Sequence, residues 1–233
     1  MSTPHCHHIR EHRSVLAPIE RRTLTWIALR LPAWITSDHL STLSLFSMLA
    51  VGIGFAPFRI TPWAAAMVVV ALAANWFGDS LDGTVARVRG LERPRYGFYV
   101  DHVIDLLGTT FLFGGLACSG LMSPLVAVVL LAAYAIVCAE TYLATHAAGV
   151  FRMSFIGFGP TELRLVLAAG ALKAADGGWI SLPGLSDVRL FDVGAVVGIF
   201  GFALAFVVSA ARNTRALYRA EPLPRGHSAT SAT

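Results

Sequence analysis

Four of the eight aspartates in this 233-residue chain fall within DSLDGTVARVRGLERPRYGFYVDHVID, from Asp79 to Asp105. Asp79 and Asp82 are three residues apart, and Asp101 and Asp105 are four apart, so in helices each pair shares one face. At about 100° per residue, Gly83 and Ala86 join the first face, and Gly97 and Gly108 lie beside the second pair. Residues with little or no side chain let a bulky group approach the backbone. Four facing carboxylates repel, and each costs roughly a few kcal/mol if left unpaired in a membrane. One divalent cation, or two, relieves that repulsion. An oxygen-only donor set suits Mg²⁺, Mn²⁺ or Ca²⁺ and argues against zinc. The neighbouring Arg87, Arg89, Arg93 and Arg95 suit a phosphate-bearing partner, although the same arginines could instead pair with the aspartates at the membrane interface.

The elements that must position these residues are apolar. The chain is 55% hydrophobic and 14% charged, with a mean hydropathy of +0.64, which fits a polytopic membrane protein better than a soluble domain. Six segments reach spanning length, at about 40–58, 62–86, 98–121, 123–147, 160–179 and 190–211. Pro- and Gly-containing turns separate them. Residues 15–35 mix arginines with Leu, Ile and Trp and read as an amphipathic helix on the membrane surface. The predicted fold is therefore all-α: six transmembrane helices with an N-terminal amphipathic interfacial helix, and no internal repeat. The expected organisation is a disordered tail over 1–14, a membrane domain over 15–214 and a disordered tail over 215–233. The start lacks the apolar core of a signal peptide, and its Cys6-His7-His8 cluster is read as part of the tail rather than as a metal site. Three widely spaced cysteines suggest neither a disulfide framework nor a zinc site.

Charge placement orients the spans. Fifteen of the eighteen basic residues fall on one side of a six-span arrangement, which puts both termini in the cytoplasm. The net charge of +4 is thereby explained by topology and anionic lipid, without nucleic acid. Spans two and three are expected to be antiparallel neighbours. Their four aspartates then lie just inside the cytoplasmic interface, open to water and to membrane lipids.

Asp79-x2-Asp82-Gly83-x2-Ala86-Arg87-x9-Gly97-x3-Asp101-x3-Asp105 resembles the signature of the CDP-alcohol phosphotransferase family, with all eight fixed positions present. The six spans and interfacial helix extend the similarity over most of the chain. The resemblance implies an enzyme of phospholipid synthesis, active near the cytoplasmic face. It would transfer a substituted phosphate from a CDP-linked donor to an acceptor alcohol, with release of CMP. By resemblance Asp79, Asp82 and Asp101 are ligands of a pair of Mg²⁺ or Mn²⁺ ions. Asp105 is the general base and also touches the second ion. Gly83, Ala86 and Arg87 contact cytidine and phosphate, and Gly97 leaves room opposite. A homodimer is implied too, and Gly115-x3-Ser119 is a small-residue pair that could support helix contact. The signature leaves open whether the lipid is the donor, as CDP-diacylglycerol, or the acceptor, as diacylglycerol. The physics agrees with the resemblance, because phosphoryl transfer needs positioning and charge neutralisation more than covalent help. With no GxxxxGKS loop, the aspartate–glycine face is the remaining nucleotide cradle.

Other residues carry two readings each. Ser37 or Asp38 caps the first span, or the segment Ser37–Thr42 touches the nucleotide pocket. Asn75, one turn before Asp79, faces the site or is a buried, hydrogen-bonded amide. Glu140 is functional or makes a structural hydrogen bond. Glu162 complements a helix N-terminus, or belongs with Gly149-x2-Arg152 and Thr161 to a segment that resembles one of the choline/ethanolamine phosphotransferases, in which Arg152 could contact a lipid phosphate. His146 reads as structural. The alternative function is a small cation transporter or channel using the aspartates as an ion site. Against it, no acidic path continues to the far side, where Asp176, Asp187 and Asp192 lie in or beside the outer loop.

Overall fold

The computed structural model describes residues 17–61, 63–148, 160–181 and 187–221. The interfacial helix α1 (Ala17–Ala28) turns Leu24 and Ala28 inward and leaves Arg21 and Arg22 exposed. A turn leads to α2 (Ser37–Phe55), which Thr36 caps. The Thr36 hydroxyl accepts from the His39 N–H at 3.4 Å, and His39 Nδ1 accepts from the Thr36 N–H at 3.2 Å. The cap thus sits one residue before the expected Ser37 or Asp38, and the Asp38 carboxylate instead pairs with Arg93 at 2.5 Å. α3 (Ala64–Val88) and α4 (Pro94–Ser119) carry the aspartates. Pro94 opens α4, where a missing N–H costs nothing, and Gly120 closes it at a left-handed φ of 72°. Then follow α5 (Pro124–Ala148), α6 (Pro160–Ala174), a hairpin of β1 (Trp179–Ile180) with β2 (Val188–Arg189), and α7 (Leu190–Ala220). α7 continues well past the domain boundary expected at 214. Residues 1–16 and 222–233, which hold most of the two expected tails, lie outside the described residues.

The chain is an all-α polytopic membrane protein. Among the described residues, five helices, α2, α3, α4, α5 and α7, are long and apolar enough to cross a membrane. The sixth pass, expected over 160–179, is shorter: α6 has 15 residues and rises ~22 Å against ~30 Å of hydrocarbon. It nonetheless runs between the two ends of the bundle. Arg164 stands beside Asp79, whereas Ala171 and Ala174 pack in one apolar cluster with Leu121 and Phe191, at the end of α4 opposite the aspartates. Leu43, Phe46, Met67, Val70, Leu143 and Phe200 cover the outer surface and suit a hydrocarbon surround.

The main helix contacts follow one another around a ring, in the order α6, α3, α2, α4, α5, α7, and α7 returns to α6. This changes one expectation. α3 and α4 run antiparallel and are joined by a short loop, but they touch little directly, because α2 lies between them. The seating is backbone on backbone. A Cβ added at Gly78 of α3 would come within 2.6 Å of the Leu40 carbonyl and 2.8 Å of the Ser44 nitrogen on α2. On the other flank, a Cβ at Gly115 of α4 would strike the Gly52 backbone, and one at Gly52 would strike the Phe111 carbonyl. Gly115 therefore serves a contact within the chain rather than one between copies. Arg89, at the end of α3, ties the turn between α1 and α2 by donating to the carbonyls of Leu31, Pro32 and Ile35 at 2.5–3.1 Å.

Gly115→Ala is expected to lower the unfolding temperature in detergent, with an overpacking cost of about 1–3 kcal/mol. Gly114→Ala, where an added Cβ meets nothing within 4 Å, should leave that temperature unchanged. Equal temperatures for the two variants would contradict the tight α2–α4 seating.

Candidate active site

The last turns of α3 and the first turns of α4 face a common space, held apart by the width of α2. Asp79, Asp101 and Asp105 each bring a carboxylate oxygen into one group, all within 4.8 Å of one another. Three carboxylates so placed form a hard-oxygen donor set that fits a divalent cation such as Mg²⁺ or Mn²⁺.

Asp82 is held differently. Its Oδ2 accepts from the Ser41 hydroxyl of α2 at 2.6 Å, and its Oδ1 accepts from the Gly83 N–H at 2.5 Å. The carboxylate still lies near enough to Asp79 and Asp101 to feel their charges. The structure thus gathers three of the four expected ligands and parks the fourth one turn away, against Ser41. Ser41 belongs to the segment Ser37–Thr42 that opens α2, so that segment reaches the aspartates through Asp82.

The small residues divide in two. Gly97 has open space where a side chain would stand, and Gly83 faces only the movable end of Arg87. Both leave the room expected of them. Gly108 does not, because its missing side chain is filled by Met48 of α2, 3.0 Å from an added Cβ. Ala86 is half-buried. Arg87 is exposed, and its guanidinium donates to the Thr84 hydroxyl at 3.1 Å.

Two residues with no site role expected of them complete the surroundings. Arg164 of α6 donates from Nη2 to Asp79 Oδ2 at 2.5 Å and from Nε to Asn75 Oδ1 at 2.7 Å. Asn75, which is 3% exposed, donates in turn to the Ser44 carbonyl at 3.1 Å and hydroxyl at 2.8 Å. Asn75 is thus the buried, hydrogen-bonded amide, linked to Asp79 through Arg164. Glu20 of α1 is the second. Its Oε1 accepts from Trp76 Nε1 at 2.8 Å, Thr161 Oγ1 at 3.0 Å and Ser80 Oγ at 3.5 Å. It thereby binds the interfacial helix to α3 and to the first turn of α6. The available signals were faint. Glu20 is the one acid in residues 15–35, and Arg164 is a lone cation early in an apolar run.

α5 forms the wall beside α4. Tyr142 meets the His102 ring edge-on, with centroids 5.1 Å apart, and His102 Nδ1 donates to the Phe98 carbonyl at 2.6 Å. Glu140 lies away from this wall and accepts from Asn213 of α7 at 2.8 Å, which is the structural reading. His146 is exposed in the last turn of α5. Glu162 sits in the first turn of α6, as its capping role requires. Gly149, Arg152 and the Cys6-His7-His8 cluster lie outside the described residues.

Residues 30–210 match the family model for CDP-alcohol phosphatidyltransferase. The chain belongs to that family. The four aspartates just described lie within the matched residues. Among solved structures it is similar to a Mycobacterium tuberculosis phosphatidylinositol phosphate synthase, PgsA1, with CDP-DAG bound. The identity is 20% and the TM-score 0.55, over 88% of this chain and 99% of that one, a likeness of fold. No curated relative matches the sequence.

Glu20→Ala removes one acceptor from three donors at the junction of α1, α3 and α6. The expected loss is ~1–3 kcal/mol, read as a lower unfolding temperature in detergent. Glu20→Gln, which keeps an acceptor oxygen, should recover most of it.

Proposed function

We propose that this transferase moves a lipid-linked phosphate from a CDP-linked donor to an acceptor alcohol and releases CMP, with Asp105 as general base. The carrying observation is the convergence of Asp79, Asp101 and Asp105 within 4.8 Å in a chain of this family. The CDP-DAG bound to the M. tuberculosis neighbour supports a CDP-linked lipid as donor. The acceptor is then an alcohol able to reach the space between α3 and α4 from water or lipid.

Each residue has a task in this reading. Asp79, Asp101 and Asp105 would hold a divalent cation, and Asp82 would turn from Ser41 to complete a second position. Bound there, the ions supply charge neutralisation for the diphosphate and its departing oxygen. Gly83 and Ala86 admit the nucleotide against α3, Arg87 pairs with phosphate from the open end, and Gly97 leaves room on the facing helix. Asp105 takes the proton of the acceptor hydroxyl. The alkoxide oxygen then bonds to the donor phosphorus distal to cytidine. The bond from that phosphorus to the bridging oxygen breaks, and CMP leaves with the oxygen.

Sidedness follows the basic residues: both termini and the aspartates are assigned to the cytoplasmic face. A homodimer remains the assembly that the family resemblance implies, by a surface other than Gly115. The transporter reading loses ground, because at the far end Asp187 and Asp192 accept from Ser181 and from the Ser123 N–H, at 2.6 and 2.7 Å, rather than lining a path.

Purified protein given Mg²⁺ or Mn²⁺, CDP-diacylglycerol and a panel of alcohols is expected to release CMP. Asp105→Asn should lose about 10²–10⁴-fold of that rate with the fold intact. The reading fails if no CMP appears with any donor and acceptor, or if Asp105→Asn matches wild type.

A further inference from the structure

The contact between Arg164 and Asp79 brings a fixed positive charge to a place where a cation is expected. Arg164 lies one turn into α6 and reaches across to α3. Its Nη2 donates to Asp79 Oδ2 at 2.5 Å, and the two side chains are only 15% and 22% exposed. Its Nε is tethered at 2.7 Å to Asn75 Oδ1, and Asn75 is itself fixed by two hydrogen bonds to Ser44 of α2. Three helices therefore combine to aim one guanidinium at one of the three clustered carboxylates. Planar donors held at two points do not swing away freely, and a guanidinium cannot lose its charge.

We infer that Arg164 is the resident counter-ion of the carboxylate cluster, which it holds together in the absence of a divalent cation and whose cation affinity it limits by competing for Asp79. The inference rests on the reading that the aspartates hold a divalent cation. Three carboxylate oxygens within 4.8 Å repel one another, and a nearby positive charge offsets that repulsion. Arg164 supplies one such charge from inside the fold. An arriving dication must share Asp79 with the guanidinium or push it aside, and each course opposes binding. The same charge that preserves the site when empty thus raises its threshold for loading.

The test is Mn²⁺ titration of the full chain in detergent, without substrate, reading free Mn²⁺ by electron paramagnetic resonance. Arg164→Gln is expected to bind Mn²⁺ about tenfold more tightly than wild type, or better. Arg164→Lys keeps the charge but loses the two-point tether, so it should tighten binding by a smaller factor, and it serves where the Gln variant does not fold. An arginine that merely braces the site would leave affinity unchanged or weaken it on removal, and either result overturns the inference. If wild type and both variants bind no Mn²⁺, the cation reading falls and this inference falls with it. If wild type binds and neither variant binds more tightly, only the inference falls.

Discussion

The distance between α3 and α4 is set by the helix between them. α2 meets both neighbours backbone to backbone, at Gly78 on one flank and through Gly52 and Gly115 on the other. Side chains have rotamers and can yield, whereas backbone contact fixes separation within a few tenths of an ångström. The carboxylates of two helices that barely touch converge because of that spacing. A wider α2 seat would part Asp79 from Asp101 and Asp105. A narrower one would close the open space in front of Gly83 and Gly97.

Around that frame, three acids fasten helix to helix. Glu20 collects three donors, Glu140 takes Asn213, and Asp79 takes Arg164. Each pairing joins two helices or more, so satisfying a polar group and fastening the bundle are the same act. Arg89 does likewise from the donor side, spending its fork on the carbonyls of a turn that has no helical partners of its own.

The sequence makes local pattern legible and leaves pairing hidden. Asp79 with Asp82, and Asp101 with Asp105, could be placed on helix faces from spacing alone. The all-α membrane fold followed from long apolar runs broken by proline and glycine. Which helix stands beside which was not encoded in any window of the chain, so α2 between α3 and α4 went unforeseen. For the same reason the pairings of Ser41, Glu20 and Arg164 with α3 could not be read from the sequence. These residues lie 41, 60 and 85 residues from Asp82, Ser80 and Asp79 respectively. Gly108 shows the converse error: a glycine near a site reads as room for a ligand, until Met48 is found in the space. The short α6 was misjudged because hydropathy measures partition, while helix length answers to the turn that follows.

α7 differs from its neighbours in what holds it. Only 6% of its most apolar stretch is buried, at a mean hydropathy of 2.4. Phe191, Ala195, Ile199 and Phe202 pack inward and Asp192 and Asn213 anchor it, while most of its other apolar residues are exposed. Its place is set by partition into hydrocarbon more than by fit against protein. Selection on such a helix acts on its summed apolarity and not on which apolar residue stands where. Most of α7 is therefore free to drift by exchange among Leu, Ile, Val and Phe. When relatives are compared, differences there will measure elapsed time, and the few inward-facing or anchored positions will be the part that carries ancestry.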